Sequence, residues 1–347
     1  MRKIILSFFL IVFTAAAIAQ TESDQKINEG IELHDKGEYE SAIRKYDEVL
    51  KSDPGNSRAL YEKSYSLFHM KKYDECEVLC KQLLQGKLYK KEVYVQYGNL
   101  LDMTNRQNEA IELYNKGIKE FPDFNLLYFN RGIALSGMEK DDDAILSFQQ
   151  GVKLKPLHAS SHYAIGKLSQ DDSRVPAMMA LFTFLVIEPE SERSKESLRL
   201  LKRLANKGVS RTDSTHITIS IDASTLEKKK KRAENDFSNT EMILSLGASL
   251  AEGNDSLKAK TITYQPNSVF DLIIASLSEG KKKGRGFYWT FYAPFLIELE
   301  SKGFLETAAY IAHASSDNAE VNQWLESNSN KTSAFYDWLK NYSWNTK

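Results

Sequence analysis

Small residues return every 34 positions through the first half of the chain, at Gly30, Ser64, Gly98, Gly132 and Gly166. Ala42, Cys76, Ala110 and Ala144 keep the same step, as do Tyr46, Cys80, Tyr114 and Phe148. Pro54, Pro122 and Pro156 recur with them, with Leu88 in the second slot. A period of this length restricts the fold to stacked supersecondary units, each burying its apolar face against its neighbours. Small residues in both helices of a unit let the two backbones approach closely. The aromatic four residues after the second small residue lies on the same face and is expected to fill the space between neighbouring repeats. The proline ends the second helix and starts the next turn.

These residues resemble the tetratricopeptide repeat (TPR), with its pattern W-x2-L-G-x2-Y, then A-x3-F, then P, over about 34 residues. The fourth unit matches best, through Tyr128, Gly132, Leu135, Ala144, Phe148 and Pro156. The third follows with Tyr94, Gly98, Leu101, Ala110, Tyr114 and Pro122. The resemblance implies an all-α chain with a TPR α-solenoid of about five helix-turn-helix repeats over 23–190, divided as 23–56, 57–90, 91–124, 125–158 and 159–190. The fifth unit loses the pattern across Asp171 to Arg174 and continues as PAMMALFTFLVIEP. A helix apolar on nearly every face must be covered on more than one side, and residues 191–347 are the expected cover.

TPR usage also places contact residues at positions 2, 5, 9, 12 and 13 of the first helix of each repeat. Carried onto this chain, those positions include Tyr61, Tyr65, Phe68, Asn99, Asp102, Phe129, Ile133, Tyr163 and Lys167. Some TPRs clamp a peptide carboxylate with Lys and Arg there, but here most positions are aromatic or aliphatic. The resemblance therefore implies a protein or peptide partner held by rigid aromatic anchors in an apolar groove. Internal packing of the same face against the C-terminal half is the competing reading.

The first 19 residues read as an export leader to be removed. Met1, Arg2 and Lys3 supply the positive start, Ile4 to Ala17 an apolar run, and Ala17-Ile18-Ala19 a small-x-small cleavage site. The run is short for a membrane span. The expectation is a periplasmic or secreted protein cleaved after Ala19, with no membrane insertion afterwards. Loss of Arg2 and Lys3 takes the net charge from −1 to −3, which gives no general attraction to a polyanion. Nucleic-acid binding through the basic runs at Lys228–Arg232 and Lys281–Arg285 is not expected, and both read as solvated segments. Cys76 and Cys80 occupy core slots of the second repeat and read as small buried hydrophobes.

The C-terminal region, 191–347, reads as mostly helical without a period. A helix is expected over 194–206, with a stop at Gly208. HITISI, 216–221, alternates as a short strand with TITY, 261–264, as its expected partner. Ser238 to Glu241 forms a capping-box pattern, and further helices are expected over 268–278, 294–302, 304–315, 319–327 and 331–342. With DFSNTEMILSLGASL, FYWTFYAPFLIELESKGF and the closing FYDWLKNYSW, this half also resembles exported TPR proteins of Bacteroidetes-type bacteria, a resemblance that implies no activity. Its stretch FYWTFYAPFLIELESKGF, 287–304, reads as core facing the apolar helix of the fifth unit, broken or restarted at Pro294 and ended at Gly303.

Catalytic chemistry leaves no recognisable pattern. His158 and His162 are the one histidine pair at helical spacing, with His162 at a packing position. H-E-x-x-H, C-x-x-C, G-x-S-x-G and Walker loops are absent. No catalytic residues, metal or cofactor are expected. Two further readings remain: small-molecule or glycan binding by the C-terminal aromatics (Phe287, Tyr288, Trp289, Trp324, Trp338, Trp344) with the repeats as a mount, and a cryptic hydrolase.

Overall fold

The computed structural model describes residues 21–211, 217–219, 234–252, 264–280 and 284–346. They pack as two compact units, one ending at Lys140 and the other beginning at Asp141. The leader, the Lys228–Arg232 run and Lys281 to Lys283 lie outside the described residues.

The first unit is a stack of helical hairpins. In order these are α1 (21–35) with α2 (Tyr39–Ser52), α3 (Ser57–His69) with α4 (Tyr73–Gln85), and α5 (Lys90–Met103) with α6 (Gln107–Glu120). Helix α7 (Asn125–Gly137) then opens the fourth repeat. A second 34-residue period runs through the turns. Gly37, Lys71, Asn105 and Glu139 all take positive φ, between 59° and 80°. After each of them an amide closes back over the helix end: Glu38 N to Leu33 O (2.9 Å), Lys72 N to Leu67 O (2.9 Å), Arg106 N to Leu101 O (2.8 Å), Lys140 N to Leu135 O (3.0 Å). This left-handed cap satisfies the orphaned carbonyls and reverses the chain in three residues.

The small residue of the first helix receives the aromatic of the second. A Cβ on Gly30 would sit 2.4 Å from the Tyr46 ring, and one on Gly98 would sit 2.2 Å from Tyr114. These rings pack on the glycine of their own repeat, and Tyr46 also shares a core cluster with Ala59 of the next repeat. The glycine removes the side chain that would otherwise hold the helices apart. In the second repeat Ser64 and Cys80 take these slots. Cys76 and Cys80 are buried free thiols with their sulfurs 3.9 Å apart, and Gln96 reaches Cys76 Sγ (3.7 Å) while accepting from Ser64 Oγ (3.2 Å).

The second unit begins with α8 (Asp141–Leu154), α9 (Ala159–Ser169), α10 (Arg174–Ile187) and α11 (Glu192–Ala205). Strands β1 (Val209–Arg211) and β2 (Ile217–Ile219) pair antiparallel. Then come α12 (Ser238–Glu252), α13 (Tyr264–Gly280), α14 (Phe287–Thr290), α15 (Tyr292–Ser301), α16 (Leu305–Ala312), a 3-10 turn at Ala314–Ser316, α17 (Ala319–Ser327) and α18 (Ser329–Asn341). HITISI does contribute a strand, but its partner is Val209–Arg211. Of the expected partner TITY, residues 261–263 lie outside the described residues and Tyr264 begins α13. A partner six residues upstream closes by a short hairpin, whereas TITY would close a much longer loop.

Helix α10 is buried along its whole length, from Arg174 to Val186. It packs against α9 and α11 and also meets α12, α15 and α16, so the C-terminal region covers it as expected. Helix α11 stands about one repeat after α9. Arg193 donates to Ser160 Oγ (3.0 Å) and Glu196 accepts from Tyr163, each some 33 residues apart. Arg174 is 6% exposed and donates to the carbonyls of Ala205 (2.9 Å) and Lys207 (3.3 Å), with Glu241 3.8 Å away. Glu241 also accepts from Val175 N (3.0 Å), capping α10. The expected capping box is thus replaced: Asp236 Oδ1 accepts from Ser238 N (3.1 Å), and Glu241 serves another helix.

The FYWTFYAPFL stretch divides into α14 and α15 at Phe291, three residues before Pro294, which sits in the first turn of α15, and Gly303 (φ 74°) follows its end. Tyr288, Phe291, Tyr292 and Phe295 are buried, while Trp289 is half-buried, stacked on Phe237 at 4.7 Å. The seam to the fifth repeat is polar at its centre. His162 Nε2 lies 2.6 Å from the Pro156 carbonyl, which can only accept, so Nε2 carries the hydrogen. The Tyr292 hydroxyl then donates to Nδ1 at 2.7 Å.

Candidate functional site

In the first unit the residues expected to meet a partner come from α3, α5 and α7. The periodicity that buries Leu60, Ser64 and Leu67 sets Tyr61, Tyr65 and Phe68 about 100° further round α3, at the edge of the core. Tyr65 is 39% exposed, and Tyr61 and Phe68 are half-buried. The three join a larger aromatic surface. Tyr89, Tyr61, Tyr65 and His34 stack in sequence, with centroids 5.1, 6.4 and 5.0 Å apart and interplanar angles of 11°, 13° and 22°. His69 stands edge-on to Tyr65 (4.8 Å) and stacks on Tyr39 (5.5 Å), and Phe68 lies 6.0 Å from Tyr73.

His34, His69, Tyr39 and Tyr89 were not among the expected contact residues. His34 and His69 occupy positions 12 and 13 of their repeats, so the positional rule reached them; Tyr39 and Tyr89 lie outside the first helix and carried no such signal. His34 Nδ1 is 2.8 Å from Ser66 Oγ, and burial, aided by His69, lowers its pKa against the opposing charge of Asp35.

Asn99 and Asp102 sit apart from this stack. Asn99 Oδ1 accepts from Tyr114 OH at 2.7 Å, so it serves the core as well as the surface. Asp102 is half-buried, and burial raises its pKa. Glu62 is raised for the same first reason, with Arg58 opposing and Asp35 adding. On α7, Phe129 is half-buried and Ile133 is 42% exposed. The remaining two expected residues belong to the second unit and are engaged there. Tyr163 OH donates to Glu196 (3.2 Å), Lys167 pairs with the same carboxylate, and the Arg193 guanidinium lies 5.5 Å from the Tyr163 ring.

The C-terminal aromatics largely pack on one another. Trp338 and Trp344 stack on Phe295 at 5.6 and 4.6 Å, and Trp324 lies on Tyr310 at 4.0 Å. His158 and His162 do not converge: His158 Nδ1 faces Ser161 Oγ at 2.8 Å, and both nitrogens of His162 are committed. Among the described residues no three His, Cys, Asp or Glu side chains gather as metal ligands, and no helix is long and apolar enough to cross a membrane.

Stacked hairpins with left-handed caps every 34 residues define a helical-repeat protein. Comparison with known proteins names the repeat. Tetratricopeptide repeat families match residues 33–87 and 91–124. Tetratricopeptide repeat protein 21A of Mus musculus is 26% identical over 133 residues, 37% of this chain and 10% of the mouse protein, so the chain spans about a tenth of that relative. Among solved structures, YrrB, described as a TPR protein with an unusual peptide-binding site, is 20% identical with a TM-score of 0.40, covering 54% of this chain and 97% of its own. PilF of Pseudomonas aeruginosa is 20% identical with a TM-score of 0.48, covering 54% and 84%. PilW, a type IV pilus biogenesis factor, is 19% identical with a TM-score of 0.46, covering 53% and 84%. Residues 33–87 and 91–124 of the first unit thus match the tetratricopeptide repeat.

Proposed function

We propose that this protein is an exported, non-catalytic scaffold whose first unit binds a partner protein or peptide through the aromatic face of its repeats. The observation that carries the reading is the stack Tyr89, Tyr61, Tyr65 and His34, which keeps Tyr65 39% exposed instead of burying it in the core. Preordered tyrosines lose little side-chain entropy on contact and supply both apolar area and a polar tip. The peptide-binding site named for YrrB belongs to that protein, and agrees with the use proposed here. The second unit contributes no cofactor site in this reading, and its C-terminal aromatics serve mainly to hold its helices together. Export rests on the leader, and the mature chain would begin at Gln20.

A photo-crosslinking residue placed at Tyr65 is expected to trap a protein in the native host, whereas the same residue at Val78, 64% exposed on α4, is not. If Tyr61→Ala combined with Phe129→Ala leaves every co-purifying protein unchanged, the aromatic face is not the binding surface.

A further inference from the structure

The charges along the first helices of the repeats are unbalanced in one direction. Every lysine and arginine of α1, α3 and α5 already has a carboxylate: Lys26 pairs with Glu22 and Glu48, Arg58 with Asp24, Lys63 with Asp47, Lys90 with Glu120 and Lys91 with Glu92. Three carboxylates at or beside the contact positions, Asp35, Glu62 and Asp102, have no lysine or arginine partner among the described residues. Glu62 and Asp102 are half-buried, where a carboxylate loses hydration without gaining an ion pair. Glu62 also feels the charge of Asp35 on the preceding repeat, and the nearest cation, Arg58, is held by Asp24 (3.4 Å) and Asn28 (2.7 Å). The charge of Arg58 offsets that of Asp35 at Glu62, but neither Glu62 nor Asp102 has an ion pair among the described residues, and burial strips both of hydration that a cation from outside would replace.

Resting on the reading that this face binds a partner, we propose that the partner is a basic peptide segment, whose lysine or arginine side chains sit on Asp35, Glu62 and Asp102 while its apolar side chains lie against Tyr61 and Tyr65. Arginine suits the site best, because its planar guanidinium both forks onto a carboxylate and stacks on a tyrosine ring. The polarity is opposite to that of a lysine-lined clamp for a peptide carboxylate.

The test uses the full mature chain and three labelled 12-residue peptides, alternating leucine with arginine, with glutamine or with glutamate, followed by fluorescence anisotropy. The arginine peptide is expected to bind at least about tenfold tighter than the other two and to weaken as salt rises. Glu62→Gln with Asp102→Asn is expected to cost it about tenfold, with circular dichroism and melting temperature unchanged. Equal binding of the glutamate peptide, or no effect of the double substitution, overturns the proposal. Tyr65→Ala separates the two ideas. If it weakens all three peptides alike while the charge substitutions do nothing, the docking face stands and the basic partner is wrong. If neither set of substitutions matters, the face itself is wrong. Self-association that Tyr65→Ala abolishes would assign the face to a second copy and also overturn the proposal.

Discussion

Two residue-scale features tune the repeats, and only one of them is visible as a pattern of residue types. Gly98 leaves room for Tyr114, so Gly98→Ala drives a methyl into the ring and is expected to destabilise the first unit by about 1–3 kcal/mol, read by urea unfolding. The left-handed cap is hidden, because Gly37 alone advertises it while Lys71, Asn105 and Glu139 adopt the same backbone with a Cβ. A non-glycine residue there costs about 1 kcal/mol of backbone energy. Lys71→Gly is therefore expected to raise stability by roughly 0.5–1 kcal/mol, part of the gain being lost to the freer unfolded chain. An unchanged unfolding midpoint would show that the lysine makes a compensating contact.

At the scale of elements, the fifth repeat shows where the pattern stops and why. Ser173 stands where the next left-handed cap would fall but has φ −146°, and α10 then enters buried on every side. The sequence showed that this helix needed cover; it did not show that Arg174, Glu241, His162 and Tyr292 would fasten the cover. Arg174 and Glu241 are 67 positions apart and His162 and Tyr292 are 130 apart, and no local rule pairs them. Tyr292→Phe removes the donor to a buried imidazole nitrogen and is expected to cost about 1–3 kcal/mol, measured by denaturant unfolding. Glu241→Gln keeps an acceptor for Val175 N but removes the charge facing Arg174, so it is expected to destabilise the second unit without altering the first.

Across the whole molecule, the two units should respond differently to acid. Burial pushes both His162 and His313 down to about 4, and both lie in the second unit. An unfolded imidazole takes up a proton below about 6.5, the folded one only below about 4. Between those values the unfolded state holds more protons, so stability falls as pH drops through the window. At pH 5 each histidine is expected to remove roughly 2 kcal/mol relative to pH 7. Calorimetry should show the transition of the second unit moving to lower temperature while that of the first moves less. His162→Gln should flatten this response, and two transitions that shift equally would contradict the assignment.

The sequence by itself determined the repeat, its helical hairpins, the burial of Cys76 and Cys80 in core slots, and the need to cover PAMMALFTFLVI. Each of these is recorded locally, in a period of residue sizes or a run of apolar side chains. The positional rule also placed Tyr61, Tyr65 and Phe68 on one surface. Tertiary structure alone decided that Tyr39 and Tyr89 extend that surface, that Tyr163 and Lys167 are tied to Glu196, and that three carboxylates have no ion pair among the described residues. The physical reason is that stacking, ion pairing and desolvation depend on which distant side chains come within a few ångströms. A repeat pattern sets where the backbone turns, but the balance of charge on a face appears only once every partner has been placed.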